Sequence, residues 1–330
     1  MNPLITVVMP TYNRPECIRY YIENSVKKYN GELFCFEIHD SSENELTKNY
    51  VHEANQCLKL SIKYHRYDSS INGDDKTHKA LSNVKTDYFY LIGDGFAPDF
   101  NRLEKMLLEN NFPKYDLVGL FFRDRNKNVN SKFKQNDKIY EENDISYIFE
   151  NLTLFLTLYG ASICSTKMFS FINENKLFEK FNFHGRYSFA YCLSLIEALI
   201  AGNFKFGVSF TKINPNPNKK GNWAHDENFY KIFYEEFITD LDKVSHFSTE
   251  DKNKALKRIG AYHFTYRGIV RYKMLGVFKP RYLKKYKKYV KRCNNHYWFM
   301  KLVAFLPKWL CCAFYHLLKG CKRLVHNKSN

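Results

Sequence analysis

The stretch VVMPTYNRPE, residues 7–16, decides the fold of this chain. It begins with apolar, largely β-branched residues and reaches Pro10, a pattern typical of a buried parallel strand that ends there. The next residues bring hydroxyl groups, an amide, an aromatic ring and a cation to the end of the strand. In open α/β sheets, ligands bind in the crevice beyond the carboxyl ends of the strands. The stretch therefore predicts a ligand site at residues 10–14.

Alternating strand and helix patterns extend this strand into a larger sheet. The first hundred residues read as four strands separated by three helices, with short connections. This order predicts an α/β fold, with a parallel sheet covered by helices on both faces. The predicted strands are residues 5–9, 33–38, 58–64 and 88–92, and the predicted helices are 15–29, Ser41 or Ser42 to about 57, and 76–84.

Acidic residues follow two of the other strands. Asp40 comes directly after the second strand, and the fourth strand enters the turn GDGFAPD, residues 93–99. Because the carboxyl ends of parallel strands meet at one edge, we expect Asp40, Asp94 and residues 10–14 to lie around one crevice. Asp94 fits two interpretations, a metal ligand or a turn residue, since Asp is common in turns. Asp99 follows Pro98 and is expected to be a turn or cap residue.

The second half of the chain is less regular. Strands are predicted at 116–122, 159–165 and 204–210, and a helix at 187–201. Residues 123–143 are charged and polar, and residues 213–224 are rich in Pro, Asn and Gly, so both are predicted as loops.

Charge divides the chain into a nearly neutral body and a strongly basic tail. Residues 252–330 contain 21 of the 51 lysines and arginines and none of the 34 acidic residues. Apolar and basic residues alternate at helical spacing over 282–293, and 297–325 add tryptophans and leucines. Within this tail the longest uncharged run, Trp309–Leu318, has ten residues, whereas a spanning helix needs about 20. We expect residues 279–325 to bind an anionic membrane surface without crossing it.

Composition excludes several classes of protein. With 45% hydrophobic and 17% aromatic residues, the chain can bury a core and is not disordered. The nine cysteines are scattered without a CxxC pair, which argues against a disulfide framework or a zinc site. The first residues show no basic segment followed by a long apolar run, so we expect a protein at the cytoplasmic face of a membrane rather than a secreted one.

These motifs resemble family-2 glycosyltransferases of the GT-A fold. That family opens with a strand followed by Pro-Thr-Tyr-Asn-Arg, has an Asp at the end of its second strand, and has an acidic motif after its fourth. Asp-Ser-Ser at 40–42, Lys-Ala-Leu at 79–81 and Thr-Asp-Tyr at 86–88 resemble a bacterial subgroup that builds surface polysaccharides. The similarity covers about residues 3–105. It implies a Rossmann-like, mostly parallel GT-A sheet in a domain of residues 1–225. The apolar and basic pattern beyond it predicts a helical, basic region of residues 226–330.

The resemblance also implies a set of site residues. The nucleotide-sugar would be bordered by residues of the strand ends, and Asp40 would accept hydrogen bonds from its nucleobase or ribose. The family's acidic motif has two or three carboxylates, and only Asp94 remains of it here. Asp94 would therefore act in catalysis and bind Mn²⁺ or Mg²⁺, which stabilises a leaving diphosphate. The implied nucleotide-sugar-binding residues are Pro10, Thr11, Tyr12, Asn13, Arg14, Asp40, Lys79 and Gly93.

The general base is harder to place. The family has an acid at the start of a late helix, where this chain has Ala190 and Tyr191. His184 is the predicted base because an imidazole titrates near neutrality, although a histidine before a helix is more often a cap or packing residue. The other candidates are Glu197, Asp226 and Glu227, and residues 223–226 beside the Gly/Asn-rich loop are expected to form a lid.

Three functions remain open from the sequence. The first is an inverting, hexosyltransferase-type enzyme that transfers a sugar from a nucleotide-diphosphate donor to a lipid-linked or surface glycan. The second is a family member without catalytic activity that acts as a partner subunit, which the shortened acidic motif favours. The third is a nucleic-acid-binding protein that uses its basic tail. The wide apolar stripe at 297–318 favours a membrane over nucleic acid as the partner of the tail.

Overall fold

The computed structural model describes residues 3–122, 137–181, 187–211, 213–218, 226–263, 265–294, 296–313 and 315. The chain forms two compact units, residues 1–220 and residues 221–330.

The first unit is built on a mixed sheet. Its strand order is β3-β2-β1-β4-β7-β5-β8-β6, and the first four strands are parallel. The α/β prediction is thereby confirmed. The strands are β1 Ile5–Thr11, β2 Phe34–Asp40, β3 Ile62–Arg66, β4 Tyr88–Leu91, β5 Leu117–Phe122, β6 Tyr140–Glu141, β7 Ser162–Ser165 and β8 Phe206–Thr211.

Strand β1 lies between β2 and β4, and it brings their carboxyl ends together. Thr11 pairs in register with Asp40, so both strands end side by side, and Val8 pairs with Leu91 near the end of β4. Apolar side chains of β1 and β2 form a buried core cluster with the helices on one face of the sheet. Residues 10–14 and Asp94 therefore reach the same edge.

Two strands run against the parallel direction. β7 is inserted between β4 and β5 and is antiparallel to both, and β6 pairs antiparallel with β8. A short buried apolar run has the same pattern in either direction, so the sequence did not reveal this reversal.

Helices cover the sheet of the first unit. The start of α3 at Gly73 differs from the predicted start at residue 76, because Asn72 caps the helix through the N–H of Asp74 at 2.9 Å. The prediction of a helix at 187–201 is confirmed. The helices are α1 Pro15–Tyr21 with a π-helical continuation over Ile22–Val26, α2 Leu46–Cys57, α3 Gly73–Ser82, α4 Phe100–Glu109, α5 Ile145–Leu156, α6 Thr166–Glu174 and α7 Tyr187–Ala201, with short 3₁₀ turns at Phe112–Lys114 and Leu177–Lys180.

The described part of the second unit is helical. The predicted helix over 282–293 is interrupted at Tyr286, and the segment from 297 onward is interrupted before Pro307, which cannot continue a helix. Among the described residues, no helix is both long and apolar enough to span a bilayer. The helices are α8 Asp226–Tyr230, a π-helix Lys231–Glu236, α9 Phe237–Asp242, α10 Thr249–His263, α11 Tyr266–Met274, α12 Pro280–Lys285, α13 Lys287–Cys293 and α14 Tyr297–Phe305.

Candidate functional site

The loop that follows β1 is fastened to the loop that follows β2. Asn13 has a φ of 51°, a left-handed conformation that Asn tolerates better than most residues. Its N–H donates to Ser42 Oγ at 2.8 Å, and its Oδ1 accepts from the N–H of Glu43 at 2.9 Å. Tyr12 OH donates to Glu43 Oε1 at 2.8 Å, while its ring remains 46% exposed. These contacts fix residues 11–14 at the edge of the sheet.

Asp94 joins the ends of β1 and β4. Its Oδ2 accepts a hydrogen bond from Thr11 Oγ1 at 3.1 Å, and its Oδ1 lies 2.8 Å from Arg14 Nη1. The carboxylate is nearly buried, whereas the Arg14 side chain is 42% exposed. The expected convergence of the β1 loop and the acidic turn is therefore present, and it involves an ion pair with a partly exposed cation.

Asp40 occupies a different environment at the end of β2. Its carboxylate is fully buried. One oxygen accepts from the N–H and the hydroxyl of Ser42, and the other accepts from Tyr64 OH at 2.8 Å and Arg66 Nη1 at 3.2 Å. A carboxylate offers about four lone-pair positions, so these four donors fill it. A nucleoside group could reach Asp40 only by displacing a donor, and Arg66 is the more exposed of the two side chains on Oδ2.

A buried lysine lies beneath these strand ends. Lys76 of α3 is 2% exposed, and its Nζ donates to the carbonyl oxygen of Thr11 at 2.5 Å and to Ser41 Oγ at 2.7 Å. Burial lowers the pKa of Lys76 to about 8, while the nearby carboxylates of Asp40 and Asp94 act in the opposite direction. The ammonium group thus supports the first two strand ends from below.

The sequence predicts Lys79 as a site residue, but the lysine that contacts the strand ends is Lys76. Lys79 is exposed, with its Nζ 5.8 Å from the centre of the Tyr67 ring. The periodicity of α3 indicates that residue 76 is buried. Ala80 and Leu81 form its buried stripe, and one turn earlier that stripe falls on residues 76 and 77, whereas residue 79 lies off it.

The turn that contains Asp94 is held by a segment distant in sequence. Asn216 Nδ2 donates to the carbonyl oxygens of Asp94 at 3.0 Å and Cys17 at 2.8 Å, and its N–H donates to the carbonyl oxygen of Gly95. A Cβ at Gly93 would meet Tyr159 only at ordinary contact distance, so close packing does not require glycine there. Asn216 was not predicted, because a buried asparagine within a polar, Pro-rich segment looks like any other loop residue.

The candidate bases are distributed differently. His184 lies outside the described residues, as do residues 223–225. Glu197 is partly buried and forms an ion pair with Lys180, and Glu227 accepts from Lys285 Nζ and Tyr286 OH, which keep the pKa of Glu227 below its ordinary value. With its lowered pKa, Glu227 is a weaker base than a free carboxylate.

Asp99 is the N-cap of α4 and accepts from the N–H of Arg102 at 3.1 Å, as the sequence indicated.

The edge around residues 10–14 combines cations and carboxylates. The side chains described above contribute the cations Arg14, Arg66 and Lys76 and the carboxylates Asp40, Asp94 and Glu43. Of these cations, the partly exposed Arg14 is suited to bind an anionic ligand such as a diphosphate.

Residues 6–177 match the model of Glycosyl transferase family 2, which is more than half of the chain. The chain belongs to glycosyl transferase family 2. The matched segment contains the β1 loop, the end of β2 and the acidic turn. Family membership identifies the chain as a glycosyltransferase.

Solved structures agree on the fold. TarS from S. aureus superposes with a TM-score of 0.52 at 15% identity, covering 90% of this chain and 50% of TarS. The mannosyltransferase PcManGT from Pyrobaculum calidifontis, solved in complex with GDP-Man and Mn²⁺, gives 0.53 at 12% identity, covering 96% of this chain and 88% of PcManGT. This chain thus spans half the length of TarS. At these identities the likeness concerns the GT-A fold alone. No curated protein sequence matches the chain.

Proposed function

We propose that this chain is an inverting glycosyltransferase that moves a sugar from a nucleotide-diphosphate donor to a lipid-linked or surface-polysaccharide acceptor, of the capsule or lipopolysaccharide type. One observation carries the proposal: Thr11, Arg14 and Asp94 meet at the carboxyl ends of β1 and β4, within the segment that matches the family. The GDP-Man and Mn²⁺ bound to PcManGT support a nucleotide-sugar donor and a divalent cation.

Arg14 is suited to bind the diphosphate. When the bond between the anomeric carbon and the diphosphate oxygen breaks, negative charge develops on the leaving group. The Arg14 guanidinium is 42% exposed at the sheet edge, and only its Nη1 is committed to Asp94. Its other N–H groups can donate to phosphate oxygens in the forked geometry typical of arginine.

Asp94 fits a divalent cation as a single protein ligand. Mg²⁺ is usually bound by one or two carboxylates together with substrate phosphates, so one aspartate is compatible with such a site. The Oδ1 of Asp94 is held by the partly exposed Arg14, a partner that can move when a donor binds. A bound Mn²⁺ or Mg²⁺ would supply Lewis-acid stabilisation of the leaving diphosphate.

The remaining predicted residues surround this centre in the proposal. Pro10, Tyr12, Asn13 and Gly93 border the donor, and the exposed Tyr12 ring offers a face on which a planar base can stack. Asp40 and Lys79 lie toward β3 and would contact the nucleoside, with Arg66 displaced from Asp40.

We assign the base that removes the acceptor hydroxyl proton to His184, and inversion follows from the family resemblance. The ion pair of Glu197 with Lys180 and the pairing of Glu227 with Lys285 leave those carboxylates less suited to this role.

Donor turnover tests the enzyme. The purified full chain is incubated with UDP- and GDP-sugars, with Mn²⁺ or with EDTA, and the release of nucleoside diphosphate is measured. We expect release with at least one donor, loss in EDTA, and a fall of about 10²-fold in Arg14→Gln. Arg19→Gln removes an exposed arginine of α1 that pairs with Glu23 and is the matched control. Donor binding without turnover for every donor would favour the partner-subunit alternative.

The second unit supports attachment to an anionic membrane. Along α14, Trp298, Leu302 and Phe305 recur at helical spacing and are 63%, 52% and 67% exposed, and Trp309 beyond it is 71% exposed. Exposed apolar stripes of this kind mark interaction surfaces, and tryptophan favours the membrane interface. Together with the charge of residues 252–330, this stripe supports an anionic bilayer as the partner.

Vesicle flotation tests the membrane assignment. We expect the full chain to float with vesicles containing phosphatidylglycerol and not with neutral vesicles, and the triple variant Trp298→Ser, Phe305→Ser, Trp309→Ser to remain in the soluble fraction. Leu108→Ser, at a 55% exposed leucine of α4, is the matched control. A gel shift with DNA or RNA that is as strong as the vesicle binding, and unaffected by the triple variant, would favour the nucleic-acid alternative.

A further inference from the structure

A second polar cluster lies on β2 and β3, apart from Asp94. His39 and His65 are paired in register on these neighbouring parallel strands. Glu37 precedes His39 by two residues and therefore points to the same face of the sheet. The three side chains thus meet on one face at the edge strand of the sheet.

The distances within the cluster match a metal site. Glu37 Oε2 lies 3.4 Å from His39 Nε2 and 3.3 Å from His65 Nε2, and the three ligand atoms all lie within 4.8 Å of one another. A tetrahedral zinc ion with bonds of about 2.0–2.1 Å has ligand atoms about 3.3–3.4 Å apart. Two of the three separations already have this value.

The polar atoms of the cluster are not satisfied by one another. Among the described residues, neither His39 Nε2 nor His65 Nε2 has a hydrogen-bond partner, and the whole of His39 is 1% exposed. Both nitrogens face the Glu37 carboxylate at distances beyond the usual 2.7–3.2 Å of an N–H···O bond. A buried polar atom without a partner is costly, so a cation between them would stabilise this arrangement.

A neighbouring hydroxyl group orients His39 for metal binding. Its Nδ1 lies 3.0 Å from Tyr67 OH, the type of outer hydrogen bond that orients a metal-binding imidazole.

We propose that Glu37, His39 and His65 bind a divalent transition-metal ion of the zinc type and thereby join the edge strand β3 to β2. Two imidazoles and one carboxylate are donors that suit zinc, and three protein ligands leave a fourth position for water. This site is separate from Asp94 and does not depend on the proposed function. Histidine and glutamate supply this site, so the spacing of the cysteines gives no indication of it.

Two neighbours define how the ion enters. The His65 side chain is 42% exposed, and Lys63 Nζ, on a side chain that is 65% exposed, lies 3.3 Å from Glu37 Oε1. The rings of His39 and His65 are stacked with centroids 4.5 Å apart, so the more exposed His65 ring has to tilt to direct its Nε2 at the ion. Lys63 competes with the ion for Glu37.

Metal titration of the full chain tests the proposal. After treatment with a chelator, the protein is titrated with Zn²⁺ by calorimetry and with Co²⁺ by visible absorption. We expect His65→Ala and Glu37→Gln each to lose one bound ion, or to bind it more than about 100-fold more weakly. Tyr67→Phe should weaken binding about tenfold. Lys63→Gln should strengthen it, because the competing ammonium is gone.

The controls separate this site from other donors. His52→Ala removes an exposed histidine of α2 and should leave the titration unchanged. All variants keep the nine cysteines and Asp94. Metal ions that bind to those groups therefore contribute equally to every titration and do not affect the differences between variants. Circular dichroism checks that each variant is folded, and Glu37→Gln preserves side-chain volume. Equal stoichiometry and affinity in the wild type, His65→Ala and Glu37→Gln would overturn the proposal.

Discussion

Two carboxylates stand at neighbouring strand ends of the same sheet, and their partners differ. Asp40 is fully buried, and four donors from Ser42, Tyr64 and Arg66 fill its oxygens. Asp94 is nearly as buried, but it is held by Thr11 and by the partly exposed Arg14.

This difference in partners suits Asp40 to a structural role and Asp94 to a role in the reaction. A fully buried carboxylate that is saturated by four donors gives up hydrogen bonds when it exchanges any of them, which is destabilising. A carboxylate whose partner is an exposed arginine can exchange that partner for a metal ion while the arginine binds phosphate. We infer that Asp94 acts in the reaction, whereas Asp40 mainly holds the strand ends in position and contacts the nucleoside only when Arg66 is displaced.

Asp94→Asn should produce the largest change in activity. The substitution removes the charge that binds the cation and pairs with Arg14, so we expect kcat/KM for donor turnover to fall about 10²–10³-fold. The melting temperature should change little, because the amide can still accept from Thr11. The measurement is nucleoside diphosphate release in Mn²⁺.

Asp87→Asn is the matched control, since Asp87 is exposed and lies before the amino end of the same strand, β4. Equal activity losses in the two variants would remove the chemical role assigned to Asp94.

Asp40→Asn should instead act mainly on stability. The variant leaves the guanidinium of Arg66 without its buried counter-charge, and the amide NH₂ cannot accept from the existing donors. We expect the free energy of unfolding to fall by about 3 kcal/mol. Urea unfolding measures the loss, with Asp68→Asn as an exposed control. An unchanged stability combined with a large increase in the KM for the donor would show that Asp40 acts on the nucleoside alone and does not hold the strand ends.

The sequence predicted the elements that depend on local pattern. Strand β1, the parallel order of the first four strands and helix α7 follow from apolar runs bounded by turn residues. The reversal of β7 was not predictable in this way, because a short buried apolar run has the same pattern in either direction. The placement of Asp94 beside residues 10–14 followed from topology, since parallel strands end at one edge.

The details that the sequence did not reveal depend on contacts distant in the chain. The pairing of Arg14 with Asp94 joins residues separated by 80 positions, and Asn216 reaches Asp94 across 122. No local pattern encodes such contacts. Lys76 is predictable only in part. The helical stripe of α3 indicates that position 76 is buried, but a lysine is an unusual residue at a buried position.

Lys76→Met should reveal the cost of a buried charge through its dependence on pH. The folded-state pKa of Lys76 is lowered to about 8 from an ordinary value of 10.5. Between these values the unfolded chain keeps the proton and the folded chain does not, so the stability of the wild type should rise with pH relative to the variant. The relative gain should reach roughly 3 kcal/mol at most.

Urea unfolding of both proteins between pH 7 and pH 10.5 measures this difference, because the other titrating groups are common to both. Lys79→Met is the matched control, since Lys79 is exposed on the same helix. The free energy of unfolding of this variant should depend on pH in the same way as that of the wild type. Parallel curves for Lys76→Met and the wild type would mean that Lys76 is not buried as a charged group.

Tyr64→Phe should give the smallest effect and tests whether Asp40 is saturated. It removes one of four donors from Asp40 and leaves Arg66 and Ser42 in place. The hydroxyl group donates to Asp40 and accepts from Arg66 Nη1, and both hydrogen bonds are lost while the ion pair of Arg66 with Asp40 remains. We expect a loss of about 1–2 kcal/mol in the free energy of unfolding and no change in kcat. Urea unfolding and donor turnover measure the two quantities. A lower KM for the donor in Tyr64→Phe would mean that the freed lone pair of Asp40 binds the nucleoside. Asp40 would then exchange a partner for a ligand as Asp94 does, and the two carboxylates would differ only in how readily they do so.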